Sequence, residues 1–296
     1  RMNLQGAWVA MPTPFTEDNQ VDIEGFKLLI ARQIKYGTNQ LFILGSAGEV
    51  TLLSIEEKKL IVKSVIAYMK DRAARGLKVV PVFFSAASFT TEASVEFAQF
   101  CEAEGADGVV FTVPPYVLIT QHAAKTHLDT CMSSVSIPCG IYNNPSRLGV
   151  QVLPETIKYL SEKHPNFVVD KEAMPSVEQL VQVQRLCEGK VKIMCCDYPH
   201  YSIVIPTLAI GGTGTANIGG NIIPEEAALY SRPWTDMKVI EECRTEYFKW
   251  FPLLQELYRE EETREAAWEA ARKAVEQAGG DIRVCEKQLA SCAAEQ

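Results

Sequence analysis

The chain has 296 residues, 47% of them hydrophobic, and a formal net charge of −8. That is enough apolar material for one large α/β barrel with an appendage, or for two smaller domains. An acidic chain argues against non-specific nucleic-acid binding and against a membrane-surface role, and leaves room for a locally basic site that takes an anionic substrate.

Nine cysteines without a CxxC pair read as free thiols of a reducing compartment. No basic segment leads into an apolar stretch, so no signal peptide is expected. No apolar run approaches the ~20 residues that span a bilayer. The expected location is the cytoplasm. Arg1, ahead of Met2, is set aside from the fold reasoning.

Short apolar runs alternate with segments of helical spacing. Strands are expected at 6–10, 40–44, 79–84, 108–113, 139–142, 167–171, 192–195 and 213–217. Helices are expected at 23–36, 54–69, 91–104, 122–132, 154–160 and 176–186. The first places Phe26, Leu29, Ile30 and Ile34 on one side. The second opens on a capping box, Ser54-x-x-Glu57, and carries Leu60, Ile61, Val65 and Met69. Short apolar strands between helices suit a parallel sheet buried on both faces. Eight such units predict an α/β fold of the (β/α)8 TIM-barrel type, with an open doubly wound sheet as the runner-up. No GxGxxG follows the first strand, and glycine-rich 211–220 matches neither a P-loop nor a dinucleotide fingerprint. Residues 1–233 read as the catalytic barrel and 234–296 as a C-terminal helical region. In the latter, Phe248, Phe251, Leu254, Leu257 and Tyr258 form an apolar stripe, 259–273 is charged, and Gly279-Gly280 breaks the last helices.

A parallel barrel carries its active site at the C-terminal ends of its strands. Lys171 ends the run Phe167-Val168-Val169. A lone strand-end lysine more often leaves for solvent. One held between low-dielectric walls loses its proton more readily and attacks a carbonyl. Tyr142 ends the preceding strand, about 4.8 Å away, close enough to shuttle protons at that nitrogen. Alone it would read as a packed aromatic. The Gly45–Gly48 turn, with the Ser46 hydroxyl and backbone amides, could hold a carboxylate at the start of the next helix. Arg147 could grip a second carboxylate, or pair with a surface acid.

Five segments in order resemble the dihydrodipicolinate synthase/N-acetylneuraminate lyase family of class I aldolases, over about residues 4–230. Gly6 to Thr13-Pro14-Phe15 is similar to its first strand. Gly45-Ser46-Ala47-Gly48-Glu49 resembles its G-[ST]-T-G-E carboxylate turn, and Tyr142-Asn143-Asn144-Pro145-Ser146-Arg147 its Y-N-x-P motif. Val169-Asp170-Lys171-Glu172 resembles the Schiff-base segment G-[IV]-K-[DE], and Gly211-Gly212-Thr213-Gly214 with Asn221 the late G-G-x-G…N stretch.

The resemblance implies a lyase that binds pyruvate or another 2-oxo acid as an imine on Lys171. Tyr142 would move protons, Ser46 and the amides near Ala47 would hold the C1 carboxylate, and Arg147 would orient the second substrate. Tyr116, Cys196 and Ala216 complete the expected substrate-binding set. A homodimer or homotetramer is implied, joined through Pro114-Pro115-Tyr116-Val117-Leu118-Ile119, a loop that could instead fold over the pocket. No metal or organic cofactor is expected, since His122, His127, His164 and His200 lack facing carboxylates.

Departures from the pattern bear on the substrate. Ala47 replaces the second turn threonine, and Val117 the second tyrosine of a Thr-Tyr-Tyr proton relay. Cys196 replaces a glycine beside the imine. The connection from Asp197 to Gly211 is longer than usual, and a late N-P-x-P-x-K segment gives way to the charged stretch 260–273. The expectation is therefore a Schiff-base lyase that is not an authentic lysine-pathway synthase. Dehydration or deamination of a 2-oxo sugar acid or cyclic imino acid, and a non-catalytic ligand-binding relative, are the alternatives.

Overall fold

A computed structural model describes residues 4–197, 203–257 and 273. Its eight strands are β1 (Gly6–Ala10), β2 (Gln40–Ile43), β3 (Val82–Ser85), β4 (Gly108–Phe111), β5 (Cys139–Asn143), β6 (Phe167–Glu172), β7 (Lys192–Cys196) and β8 (Gly214–Asn217). They pair in chain order, all parallel, and β8 closes onto β1. The closed ring is a (β/α)8 barrel and excludes the open sheet.

Alternation along each strand splits the apolar residues into two cores. Trp8, Phe42, Phe83, Val110, Val169 and Met194 fill the barrel. The Trp8 ring sits 5.2 Å from Phe42 and 5.3 Å from Phe83, which plugs the lumen. Val9, Leu41, Ile43 and Phe84 face outward onto the helices. The closing seam needs glycine: a Cβ at Gly214 would stand 2.0 Å from the Gly6 carbonyl oxygen.

The helices follow the apolar spacing. They are α1 (Ile23–Lys35), α2 (Ile55–Ala74), α3 (Thr91–Glu104), α4 (Gln121–Ser133), α5 (Pro145–Leu148), α6 (Pro154–Lys163), α7 (Val177–Cys187), α8 (Val204–Ala209), α9 (Pro224–Tyr230) and α10 (Met237–Glu256). The Ser54–Glu57 capping box forms at the start of α2. Most strand ends lie within one or two residues of their expected positions. β3 starts three residues late, because Pro81 has no N–H to pair and Val79 is left exposed. Leu60, expected inside with Ile61, Val65 and Met69, is exposed instead. The mouth segment after β5 is a turn of helix, α5, and not a loop.

Residues of α10 join the barrel's outer core, and its Tyr247 ring packs 5.8 Å from Tyr230 of α9. Its buried face is Cys243, Tyr247, Trp250, Leu253 and Leu254, which leaves the stripe residue Phe248 in solvent. Tyr258, the charged stretch up to Lys273, and Gly279-Gly280 lie outside the described residues, as do 198–202 within the Asp197–Gly211 connection. No helix among the described residues is long and apolar enough to cross a membrane.

Candidate active site

Strand β6 turns Val169 and Lys171 inward and Asp170 and Glu172 outward, by the two-residue period of a strand. Lys171 stays 3% exposed. Its Nζ lies 4.3 Å from the centre of the Phe42 ring and 4.4 Å from that of Tyr142, whose strand pairs Tyr142 directly with Lys171. Burial pulls the lysine pKa down, and Arg147 adds to that. Cys196 and Asp197 oppose it. The ammonium form is thus penalised where a neutral amine would act as nucleophile.

Tyr142 is held from its far end. Asn144 Nδ2 donates to the phenol oxygen at 2.5 Å. The Asn144 Oδ1 accepts from Ser146 Oγ at 2.7 Å and from the Arg147 backbone N–H at 3.2 Å, as the N-cap of α5. One buried amide therefore fixes the tyrosine hydroxyl and the short helix that carries Arg147. Burial pushes the Tyr142 phenol well above its usual range, so at neutral pH it keeps its proton and can give it up as an acid.

The turn after β2 approaches the same point. A Cβ at Gly45 would meet the Phe42 ring at 2.6 Å, so glycine lets the turn lie on the aromatic floor. Leu44 and Glu49 bracket it with left-handed φ values of 63° and 55°. Thr13 Oγ1 ties it down through the Gly48 carbonyl at 2.7 Å. The turn is a single 3₁₀ turn, Ser46–Gly48. It does not stand at the start of α2, whose first amides are taken by Ser54. Any carboxylate held here would use the turn's own amides.

A cavity of about 480 Å³ opens at this end of the barrel. Gly45, Ser46, Tyr142 and Arg147 line it, joined by Lys58, Ser85 and Thr112. Ala47 is half-buried and packs on the inner core. Cys196 is 4% exposed, with Sγ 4.0 Å from the Tyr142 oxygen, and pairs with Ala216 across the β7–β8 register. Tyr116 is 89% exposed with a φ of 74°, and it, Lys171, Ala47, Cys196 and Ala216 are not among the residues that line the cavity, while Pro115 is. The sequence reading missed Phe42, Asn144, Thr112 and Lys58. Phe42 looked like core, and nothing in a sequence marks a hydroxyl or amine that folds toward a mouth from another strand or helix.

The chain matches the family model described as the dihydrodipicolinate synthetase family over residues 3–279. The chain belongs to this family. A 4-hydroxy-tetrahydrodipicolinate synthase of Methanococcus aeolicus is 31% identical over 95% of this chain and 92% of its own. The Geobacter metallireducens protein of the same name is 35% identical over 76% and 73%. A crystal structure of a dihydrodipicolinate synthase superposes with a TM-score of 0.83 at 26% identity, covering 93% of this chain and 99% of the other. The Acinetobacter baumannii synthase solved with pyruvate shares the fold, with a TM-score of 0.82 at 24% identity over 94% and 99%. The protein is an enzyme of the Schiff-base, class I aldolase type. Among the described residues no group of three or more His, Cys, Asp or Glu gathers to hold a metal.

Behind the lysine the family pattern has an apolar residue where this chain has Asp170. Asp170 and Glu172 are both fully buried, and among the described residues no N–H meets either Asp170 oxygen. Burial, then the neighbouring Glu172 charge, pushes Asp170 well above the usual carboxylate range. Burial also pushes Glu172 up to about 7, against hydrogen bonds from the Met174 amide, Gln179 and Asn143. Both carboxyls therefore hold protons in the fold that they would release when unfolded. Their stability contribution is present in acid and is lost as pH rises through about 7. Asp170→Val removes half of the pair. Urea midpoints measured from about pH 5 to about pH 8 should fall for the wild type and fall less for the variant. Parallel curves for the two proteins would show that the pair carries no such penalty.

Proposed function

We propose that Lys171 forms a Schiff base with pyruvate or a longer 2-oxo acid and that the enzyme makes or breaks a bond next to that imine. The observation that carries this reading is a buried lysine amine, its charge disfavoured, 4.4 Å from the ring centre of Tyr142, which itself lines a cavity edged by Arg147. The amine attacks the keto carbon, and Tyr142 gives its proton to the departing oxygen, which leaves as water. The iminium then draws electrons from the neighbouring carbon and stabilises an enamine. Ser46 and the turn amides hold the C1 carboxylate. The Thr112 hydroxyl, which has no protein partner, offers a further bond to substrate. Arg147 orients the distal carboxylate or hydroxyl of the second substrate.

The relatives are 4-hydroxy-tetrahydrodipicolinate synthases, which favours that synthesis and lends no support to a different substrate. The proposal of another substrate rests on Ala47 and Val117, which stand where the family relay has hydroxyls. Dehydration or deamination of a 2-oxo sugar acid or cyclic imino acid by the same imine is the second reading, favoured by the same two residues.

The protein is proposed to work as a homodimer or homotetramer in the cytoplasm. Tyr116, Val117 and Leu118 stand exposed in succession beside the mouth, a poor surface for a lone subunit. Sedimentation at micromolar protein should give a dimer or tetramer that Leu118→Asp shifts toward monomer. A wild-type monomer removes the interface.

Borohydride added with pyruvate should leave a stable mass on the peptide containing Lys171, and Lys171→Ala should abolish it. An adduct on another lysine overturns the assignment. Tyr142→Phe should keep the fold and slow turnover by roughly 10²–10⁴. An unchanged rate makes Tyr142 a packing residue. With pyruvate and aspartate semialdehyde, coupled to a reductase, turnover should be weak or absent. Robust turnover would make the protein a synthase like its named relatives.

A further inference from the structure

Tyr142 must part with its proton inside a site where burial first, and then an ionised Cys196, would disfavour phenolate, and among the described residues Asn144 Nδ2 is the one N–H donor to its oxygen. The other polar atom recorded against that oxygen is the Cys196 sulfur, at 4.0 Å. The same sulfur lies 3.9 Å from Asp197 Oδ1. Asp197 is fully buried, and its other oxygen accepts the backbone amides of Ile218 and Gly219. A thiol has one proton, and among the described contacts two acceptors stand at almost equal reach of it, one permanent and one that becomes strong only when Tyr142 ionises.

We propose that the Cys196 thiol is a rotating hydrogen-bond donor that turns from Asp197 to Tyr142 as the tyrosine gives up its proton. The inference rests on the Schiff-base reading above and makes Cys196 a positioning residue that acts through Tyr142. While Tyr142 is a phenol, its O–H faces the substrate oxygen and the S–H points to Asp197. When the phenol proton passes to the carbinolamine oxygen, that oxygen leaves as water. The S–H swings onto the phenolate beside the Asn144 amide, and no bond to sulfur is made or broken. The phenolate then takes a proton back from the enamine-forming carbon and the thiol returns to Asp197. Strand geometry makes this possible. Cys196 lies two residues beyond Met194 on the inward face of β7, and its partner in register is the small Ala216, which leaves the sulfur room to turn. The glycine usual at this position in the family pattern has neither the sulfur nor the proton.

Exchange of the pyruvate methyl protons for deuterium, followed by NMR, reads imine and enamine formation without a second substrate. Cys196→Ala should slow exchange by about ten- to a hundredfold, the scale for losing a hydrogen bond to a charged group. Its pH–rate profile should move to higher pH, because the phenolate has lost a donor. Cys196→Ser, which keeps a proton on a short arm, should stay within about threefold of wild type with the profile in place. In a Tyr142→Phe background Cys196→Ala should cost nothing further. A Cys196→Ala enzyme with the wild-type rate and profile makes the sulfur mere filling and overturns the proposal. An equal loss in both backgrounds also overturns it, by showing that the thiol does not act through Tyr142. These outcomes leave the Schiff-base reading intact, provided the wild type exchanges pyruvate. A wild type that neither exchanges nor traps pyruvate sinks both.

Discussion

An amine with its charge disfavoured has to be kept out of water, and in this chain the closed barrel does that. Eight parallel strands, β1 to β8, leave a lumen filled by Trp8, Phe42, Phe83 and Met194, and Lys171 rises from that packing with ring faces on two sides. Aromatic faces attract a cation weakly. They replace the water that would solvate it, and the balance lowers the amine's pKa. The Gly214–Gly6 contact at the seam, remote from the lysine in sequence, belongs to the same constraint, since a ring that does not close cannot exclude water.

The strand period then sorts the chemistry. Lys171 faces the lumen, and Asp170 and Glu172 face the helices, so the acids cannot form a tight ion pair with the amine through their side chains. The acid that does oppose the fall in its pKa, Asp197, belongs to the end of β7, with its second oxygen taken by the Ile218 and Gly219 amides. A carboxylate fixed by amides can balance a passing iminium without taking its proton. Asn144 adds the remaining order, since Tyr142 and Arg147 cannot drift apart while one amide holds the hydroxyl and caps α5.

Much of this was legible before any coordinates. Period-two and period-3.6 patterns located the eight strands and the larger helices, and the burial of Lys171 and Tyr142 followed from their places at strand ends. What failed had physical causes. Val79 lies outside β3 because Pro81 interrupts pairing, and Phe248 points to solvent because the stripe was drawn one residue out of phase with Tyr247. Tyr116 was assigned to the site by analogy, and it stands exposed with a left-handed φ. The bond from Asn144 to Tyr142 spans only two residues, yet it depends on the chain bending into α5, and the pattern Y-N-N-P-S-R does not announce that bend. Asp170 was visible as a polar residue in an apolar run. Its meaning depended on knowing that position 170 faces the helices.

The departures at Ala47 and Cys196 fall beside the inner core that includes Tyr142, and Val117 stands half-exposed on the loop at the mouth. By the family resemblance Ala47 and Val117 stand where a relay has hydroxyls, and Cys196 puts a thiol beside Tyr142 itself. A relay of hydroxyls passes a proton outward to solvent or to an arriving aldehyde. A lone tyrosine with a local donor instead returns the proton to the carbon from which the enamine is drawn. The first arrangement suits a condensation, in which the second substrate needs protons of its own. The second suits a reaction that stays on the first substrate, such as dehydration or proton exchange next to the imine.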